Sequence, residues 1–281
     1  MTQPGKIKPH LDNLLDRFDK SFLAPDPLAA VNHFTSCDDL ETACLIAAVF
    51  AYGRADLIQR NVTAIIGSMG KSPARFCDRF RPETNKRWMK DFVYRFHRRG
   101  DLVSLVTAIK KARKKSGSLL KLFLENDNPS ADTILPGLNG MVSALRSYSG
   151  RDTQAFRTLL SDPSAGGASK RWCLFLRWMV RKDDVDPGPW SEKVSKARLV
   201  IPLDTHVSRI ARQLGMVKRK SNDWKTALEL TSFLRRLDPD DPVKYDFAIC
   251  SYGKLGYCVK NASQDQCENC DLDPICSHGK I

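Results

Sequence analysis

Four cysteines crowd into the last 24 residues of this 281-residue chain: Cys258, eight residues, Cys267, two residues, Cys270, five residues, Cys276. Thiolates are soft anionic ligands. The Cys-x-x-Cys step lets two sulfurs face one centre from a tight turn, and the longer gaps wrap the chain around the remaining vertices. Such a set suits tetrahedral zinc or a cubane 4Fe–4S cluster. A zinc ribbon more often carries two Cys-x-x-Cys pairs, and the single pair here leans the reading toward iron–sulfur; four unconnected thiols are the bland alternative. The other cysteines, Cys37, Cys44, Cys77, Cys173 and Cys250, sit among apolar neighbours and read as buried thiols. The opening MTQPGKIKPH holds no apolar stretch of signal-peptide type, so a cytosolic setting is expected, where clustered cysteines bind metal rather than pair as disulfides.

A second group of chemistry-bearing residues is Ile201-Pro202-Leu203-Asp204-Thr205-His206-Val207-Ser208-Arg209-Ile210. Asp204 or Thr205 is a good helix N-cap, and Val207, Ile210, Ala211 and Leu214 form the stripe that such a helix would bury. Charge adds a third hint. Lys plus Arg number 45 against 32 Asp plus Glu, a net +13, a balance suited to phosphate backbones, with acidic membranes or plain solubility as competing explanations. From Lys86 to Lys115 there are eleven Lys or Arg against Asp91 and Asp101 alone. That run is either a contact surface or a solvated helix face. The interleaved Trp88, Phe92, Tyr94 and Phe96 could stack on bases, or simply form the core-facing side.

The elements that must position these residues are helical almost throughout. Ile7–Leu23 repeats apolar residues at Leu11, Leu14, Leu15, Phe18 and Phe22, one helical face. Asp38 and Asp39 offer a cap for a helix over Leu40–Phe50 that is apolar nearly all round and so central. Further helices are predicted at Leu57–Met69, Lys86–Phe96, Leu102–Lys115, Ser118–Glu125, Ala131–Ser147, Ser169–Arg181, Thr205–Leu214, Asp223–Leu237 and Pro242–Tyr257. No alternating β-branched run exceeds a few positions, so the fold class is all-α. The length allows one large domain or two intertwined ones. Boundaries are expected at the Pro- and Gly-bearing stretches Asp162–Gly167 and Asp183–Lys196. Residues beyond Cys258 lack periodicity and need something other than a core to hold them. A membrane span is excluded: the longest apolar run, Ala43–Tyr52, is about half the length a bilayer requires.

The segment from Phe247, FAICSYGKLGYC, followed by a spacer and CENCDLDPIC, is similar to the C-terminal cluster loop of the endonuclease III type of DNA glycosylase, with a first gap two residues longer. The Leu203-Asp204-Thr205-His206-x-x-Arg209 segment closely resembles the Val-Asp-Thr-His-x-x-Arg signature of the HhH-GPD glycosylase superfamily. The superfamily's helix-hairpin-helix would fall at Asp162–Val180. There Gly166-Gly167-Ala168 replaces the usual Gly-hydrophobic-Gly, and Ser169 and Arg171 flank the helix start. A Gly-rich turn at a helix N-terminus can grip a DNA phosphate through backbone N–H groups.

The resemblance implies a fold and an activity. It implies two helical subdomains, 36–196 as a helical barrel with the hairpin at about 162–181, and 1–35 plus 197–257 as the second. Residues 258–276 would form an iron–sulfur cluster loop, structural or redox-tuning, on a 4Fe–4S cluster held by Cys258, Cys267, Cys270 and Cys276, with zinc as the alternative. Lys170 falls at the lyase members' catalytic position and Asp204 at that of their essential carboxylate. Gly166, Gly167, Ala168, Ser169, Arg171 and Arg54 would touch DNA, Arg54 from the loop that wedges into the gap left by a flipped base. The long segment between Lys170 and Asp204 resembles the archaeal 8-oxoguanine glycosylases. The stretches LFLRWMVRKDD and PLDTHVSRIARQLG point to an uncharacterised bacterial branch near them. The implied activity is base excision with β-lyase cleavage through a lysine Schiff base, acting on double-stranded DNA with an oxidised or damaged base. The expected state is a monomer, cytoplasmic and nucleoid-associated when bound. The alternatives are a monofunctional glycosylase in which Asp204 activates water, and a non-catalytic iron–sulfur nucleic-acid binder.

Overall fold

The computed structural model describes residues 3–24, 26–261 and 263–277. In chain order the helices are α1 (Pro4–Arg17), α2 (Cys37–Val49), α3 (Ala55–Ser68), α4 (Pro73–Arg79), α5 (Arg99–Ser116), α6 (Leu119–Leu124), α7 (Leu135–Ser149), α8 (Gln154–Leu159), α9 (Lys170–Val180), α10 (Thr205–Gln213), α11 (Trp224–Arg235), α12 (Asp246–Lys254) and α13 (Gln264–Glu268). Among the described residues the fold is all-α apart from one short hairpin, β1 (Val93–Tyr94) antiparallel to β2 (His97–Arg98). No described helix is long and apolar enough to cross a membrane.

The hairpin replaces the helix predicted over Lys86–Phe96. Met89 and Arg95 adopt φ of 48° and 55°, a conformation no α-helix contains. Aromatic burial explains why the helix loses. Trp88 packs on Phe76 and Phe80, whereas Phe92 and Tyr94 both pack edge-on against Phe50. Val93 and Phe96 are left exposed, so the stripe is half core and half surface.

Two units emerge from the contacts. One gathers Met1–Phe22, Gly166–Arg177 and Ser195–Ile281; the other holds Leu23–Ala165 and Trp178–Val194. This departs from the predicted 1–35 plus 197–257 against 36–196. Residues 23–35 join the middle of the chain because their 3₁₀ turn, Pro27–Ala30, packs on α2 and α3. Residues 166–177 join the terminal segments because Arg177 pairs with Asp246 of α12. The cysteine tail joins them too, tied to α1 by Arg17 on Asp271 at 2.7 Å.

In the middle unit, α2 is buried at every position from Leu40 to Val49. That includes Glu41, whose carboxylate accepts the Leu119 and Leu120 N–H groups at 2.8 and 3.3 Å and the Trp190 indole N–H at 2.9 Å. Burial pushes the Glu41 acid up, against those three donors. Asp38 and Asp39 do not cap α2; Ser36 holds that position. Asp39 instead receives the Ser72 hydroxyl and the Ala74 N–H at the head of α4, and Asp38 pairs with Arg113 of α5.

In the terminal-segment unit, α10 buries Val207, Ile210, Ala211 and Leu214, the predicted stripe. It packs on α12, and a side chain at Gly253 would place its Cβ 2.8 Å from that of His206. The glycine is what lets these two helices meet closely.

Candidate active site

The sequence alternation between apolar stripe and polar cap puts Asp204 at the head of α10. Its Oδ1 accepts the Val207 N–H at 2.8 Å, which satisfies one of the helix's orphan donors. The other oxygen, Oδ2, faces the start of α9. Lys170, the first residue of α9, brings Nζ to 3.4 Å from that oxygen. The Cys250 thiol of α12 lies at 3.4 Å from the same oxygen and donates to it. Three helices thus converge on one carboxylate. The lysine side chain is 38 % exposed and the aspartate 10 %, so the pair is sheltered on one side and reachable on the other.

Each member of the pair holds the other in its charged form. Burial alone would lower the Lys170 ammonium, but the Asp204 carboxylate, with help from Asp246, holds it above the usual lysine value. Burial would likewise raise Asp204, yet the Lys170 charge, the Val207 N–H and His206 hold it below the usual carboxylate range. Cys250 is pushed well up by burial and by Asp204, so it stays a thiol. A catalytic lysine must be neutral when it attacks, and burial or a neighbouring cation would favour that form. The charge beside Lys170 is negative and acts the other way. The resting pair is an ammonium against a carboxylate, with a proton acceptor already in place at 3.4 Å.

Behind it lies a second pair. Arg177, two turns further along α9, is bonded to Asp246 at the start of α12, and both side chains are 3 % exposed. Asp246, Cys250 and Gly253 recur at i, i+4 and i+7, one face of α12. That spacing was the signal available for Cys250, which by its apolar neighbours reads only as a buried thiol.

The loop before α9 is held in place by backbone pairing. Gly166 has φ of +82°, the left-handed region that favours glycine, and its carbonyl accepts the Trp224 N–H at 3.0 Å. Gly167 forms an isolated antiparallel bridge with Asp223, the cap of α11. Ser169 takes φ of +49°, and its carbonyl receives the Trp172 and Cys173 N–H groups. Ala168 and Arg171 are half-buried beside it. Arg54 belongs to the middle unit, where it forks onto Asp56 through Nε at 3.1 Å and Nη2 at 2.9 Å.

All four clustered cysteines line one cavity, together with Gln213, Tyr257 and Gln266. Among the described residues no group of three or more His, Cys, Asp or Glu is placed to hold a metal ion. None of the four cysteines is in a disulfide. The donor set fits a thiolate-held centre, because polar groups already face the sulfurs. Arg209 of α10 donates to Cys258 Sγ at 2.8 Å and to its carbonyl at 2.7 Å. Tyr252 Oη lies 3.1 Å from Cys270 Sγ and accepts the Asp271 N–H. The tail closes back on α10 through the Ser277 N–H to the Gln213 carbonyl at 2.9 Å. One helix therefore carries Asp204 at its head and holds the cysteine loop along its length.

No curated protein and no solved structure matches the chain. A family model described as "Protein of unknown function (DUF2400)" matches residues 26–255, which takes in Lys170, Asp204 and Cys250 and stops short of the four-cysteine tail. The match spans most of the sequence, and the chain belongs to that family.

Proposed function

We propose that this protein is a DNA glycosylase with lyase activity, acting on double-stranded DNA that carries an oxidised or otherwise damaged base. The observation that carries the reading is the Lys170–Asp204 pair: a primary amine at the start of one helix, 3.4 Å from a carboxylate at the head of another, open on one side. Asp204 takes a proton from the ammonium, and the neutral amine bonds to C1′ of a flipped nucleotide as the glycosidic bond breaks. The base leaves with that electron pair and a proton from the newly bonded nitrogen. Asp204 returns its proton to the ring oxygen as the sugar opens to a protonated Schiff base, from which β-elimination cuts the strand. The loop Gly166–Ser169 with Arg171 is the helix-hairpin-helix element of this reading and holds a backbone phosphate; Arg54 contacts the strand. Binding is expected to weaken steeply with salt, and the place of work is the cytoplasm, on the nucleoid.

Cys258, Cys267, Cys270 and Cys276 hold a 4Fe–4S cluster in this reading, with zinc as the alternative. The cluster supplies structural support for a loop that has almost no apolar core. Anaerobically purified protein should absorb broadly near ~400 nm with about four irons per chain; a colourless protein with about one zinc would assign the tail to zinc. The activity is tested by borohydride trapping on duplexes carrying oxidised purines, oxidised pyrimidines or an abasic site. A covalent adduct that Lys170→Ala abolishes supports the reading, and an adduct that survives that substitution overturns it.

One observation favours a second reading. Asp204 holds Lys170 charged, so a monofunctional enzyme could use Asp204 to activate water while Lys170 touches phosphate. Base release without any trapped adduct would select it. A non-catalytic binder would show neither.

A further inference from the structure

The middle unit contains a cavity of about 350 Å³ that the active-site reading does not use, lined by Lys71, Arg75, Phe76, Arg79, Phe80 and Asn85 among others. Its size falls among small-ligand sites. The residues come from the turn after α3, from α4 and from the irregular segment that follows.

Charge around it is one-sided. Arg75 and Arg79 lie four residues apart on one face of α4, and Lys71, from the turn before it, lines the same cavity. No ion pair to any of the three is formed among the described residues. Three carboxylates of α2 and α4 are engaged elsewhere: Asp38 and Asp78 hold Arg113, and Asp39 takes the Ser72 hydroxyl and the Ala74 N–H. Three like charges around one hollow repel each other unless an anion joins them.

Phe76 and Phe80 add an aromatic part to the lining, beside Met69, Ser72 and Asn85. Phe76 is half-buried at the cavity, backed by Phe80 at 5.6 Å and Trp88 at 5.1 Å between ring centroids. Trp88 is itself anchored by its N–H to the Ser68 hydroxyl at 2.9 Å. The Asn85 side-chain oxygen receives the Arg81 N–H at 3.2 Å, which leaves its amide as a donor. Cations beside a supported aromatic platform with an amide edge make the pattern that takes a phosphate and a planar base together.

We propose that this cavity binds a nucleotide phosphate, with Lys71, Arg75 and Arg79 on the phosphate and Phe76 under the base. The inference stands without the Lys170–Asp204 reading. Two sources share the chemistry: a free mononucleotide, or one nucleotide of a strand.

Calorimetry on the full chain tests it with four probes: AMP, adenosine, inorganic phosphate and a short single-stranded oligonucleotide. The doubly substituted Arg75→Ala/Arg79→Ala chain and the Phe76→Ala chain are compared by the same titrations, with circular dichroism confirming that each stays folded. AMP binding that weakens at least tenfold in the first and severalfold in the second supports a free nucleotide. The same losses for the oligonucleotide, with AMP silent, support a strand. Inorganic phosphate binding as tightly as AMP, with Phe76→Ala without effect, overturns the proposal, as does a failure of both AMP and the oligonucleotide to bind.

Discussion

Two ion pairs made by α9, two turns apart along the helix, differ in what they can do. Arg177–Asp246 is closed on all sides, with both side chains 3 % exposed, whereas Lys170–Asp204 leaves its lysine 38 % exposed. Arginine never gives up its proton at accessible pH, so the inner pair can only hold α9 against α12. Lysine can give up its proton, and its partner oxygen also accepts from Cys250, so the outer pair can move a proton without losing its geometry. Burial converts one pair into a structural pin; partial opening leaves the other available to a substrate.

Substitutions should separate the two. Lys170→Ala is expected to remove every trace of borohydride-trapped adduct while changing unfolding free energy by less than about 1 kcal/mol, because half-open pairs stabilise weakly. A thermal or urea melt alongside the trapping assay reads both; a large loss of stability would erase the contrast. Next in size, Asp246→Asn leaves Arg177 buried without its counter-charge and should cost about 3–5 kcal/mol in a urea melt. A stability loss below about 1 kcal/mol there would mean that the inner pair is no pin.

The pH profile sharpens the outer pair. Asp204 is held below the ordinary carboxylate value and Lys170 above the ordinary amine value, so across the interval between them the pair carries one shared proton. Lyase rate is therefore expected to be flat through neutral pH. It should fall only when acid adds a second proton to Asp204, or when alkali above the usual lysine range strips the shared one. A rate climbing about tenfold per pH unit from about 6 to 9 would show that Lys170 loses its proton to solvent instead. The smallest effect belongs to Cys250→Ala. Removing one thiol donor to Asp204 should alter the rate by about fivefold or less, in line with a weak hydrogen bond worth about 1 kcal/mol. A larger loss would make Cys250 a full member of the site.

Much of the architecture was legible in residue spacing. The α10 stripe and its Asp204 cap follow from a 3.6-residue period and from the preference of short polar side chains for orphan N–H groups, both local effects. The central burial of α2 follows equally from an unbroken apolar run. Spacing failed where tertiary partners outbid local preference. Lys86–Phe96 has helical periodicity, but its aromatics reach two separate clusters, on Phe76 and Phe80 and on Phe50, only if the backbone turns back at Arg95. Asp38 and Asp39 look like a cap, yet serve Arg113 and the head of α4.

The same division runs through the candidate site. Residue types and spacing alone singled out the four cysteines as a ligand set and Asp204 as a helix cap, because both depend on residues close in the chain. That Lys170, Asp204 and Cys250 meet was decided by folding, which brings the heads of α9 and α10 onto a face of α12 cleared by Gly253. The protonation of Lys170 was decided there as well, since a pKa answers to whichever charge the fold places a few ångströms away.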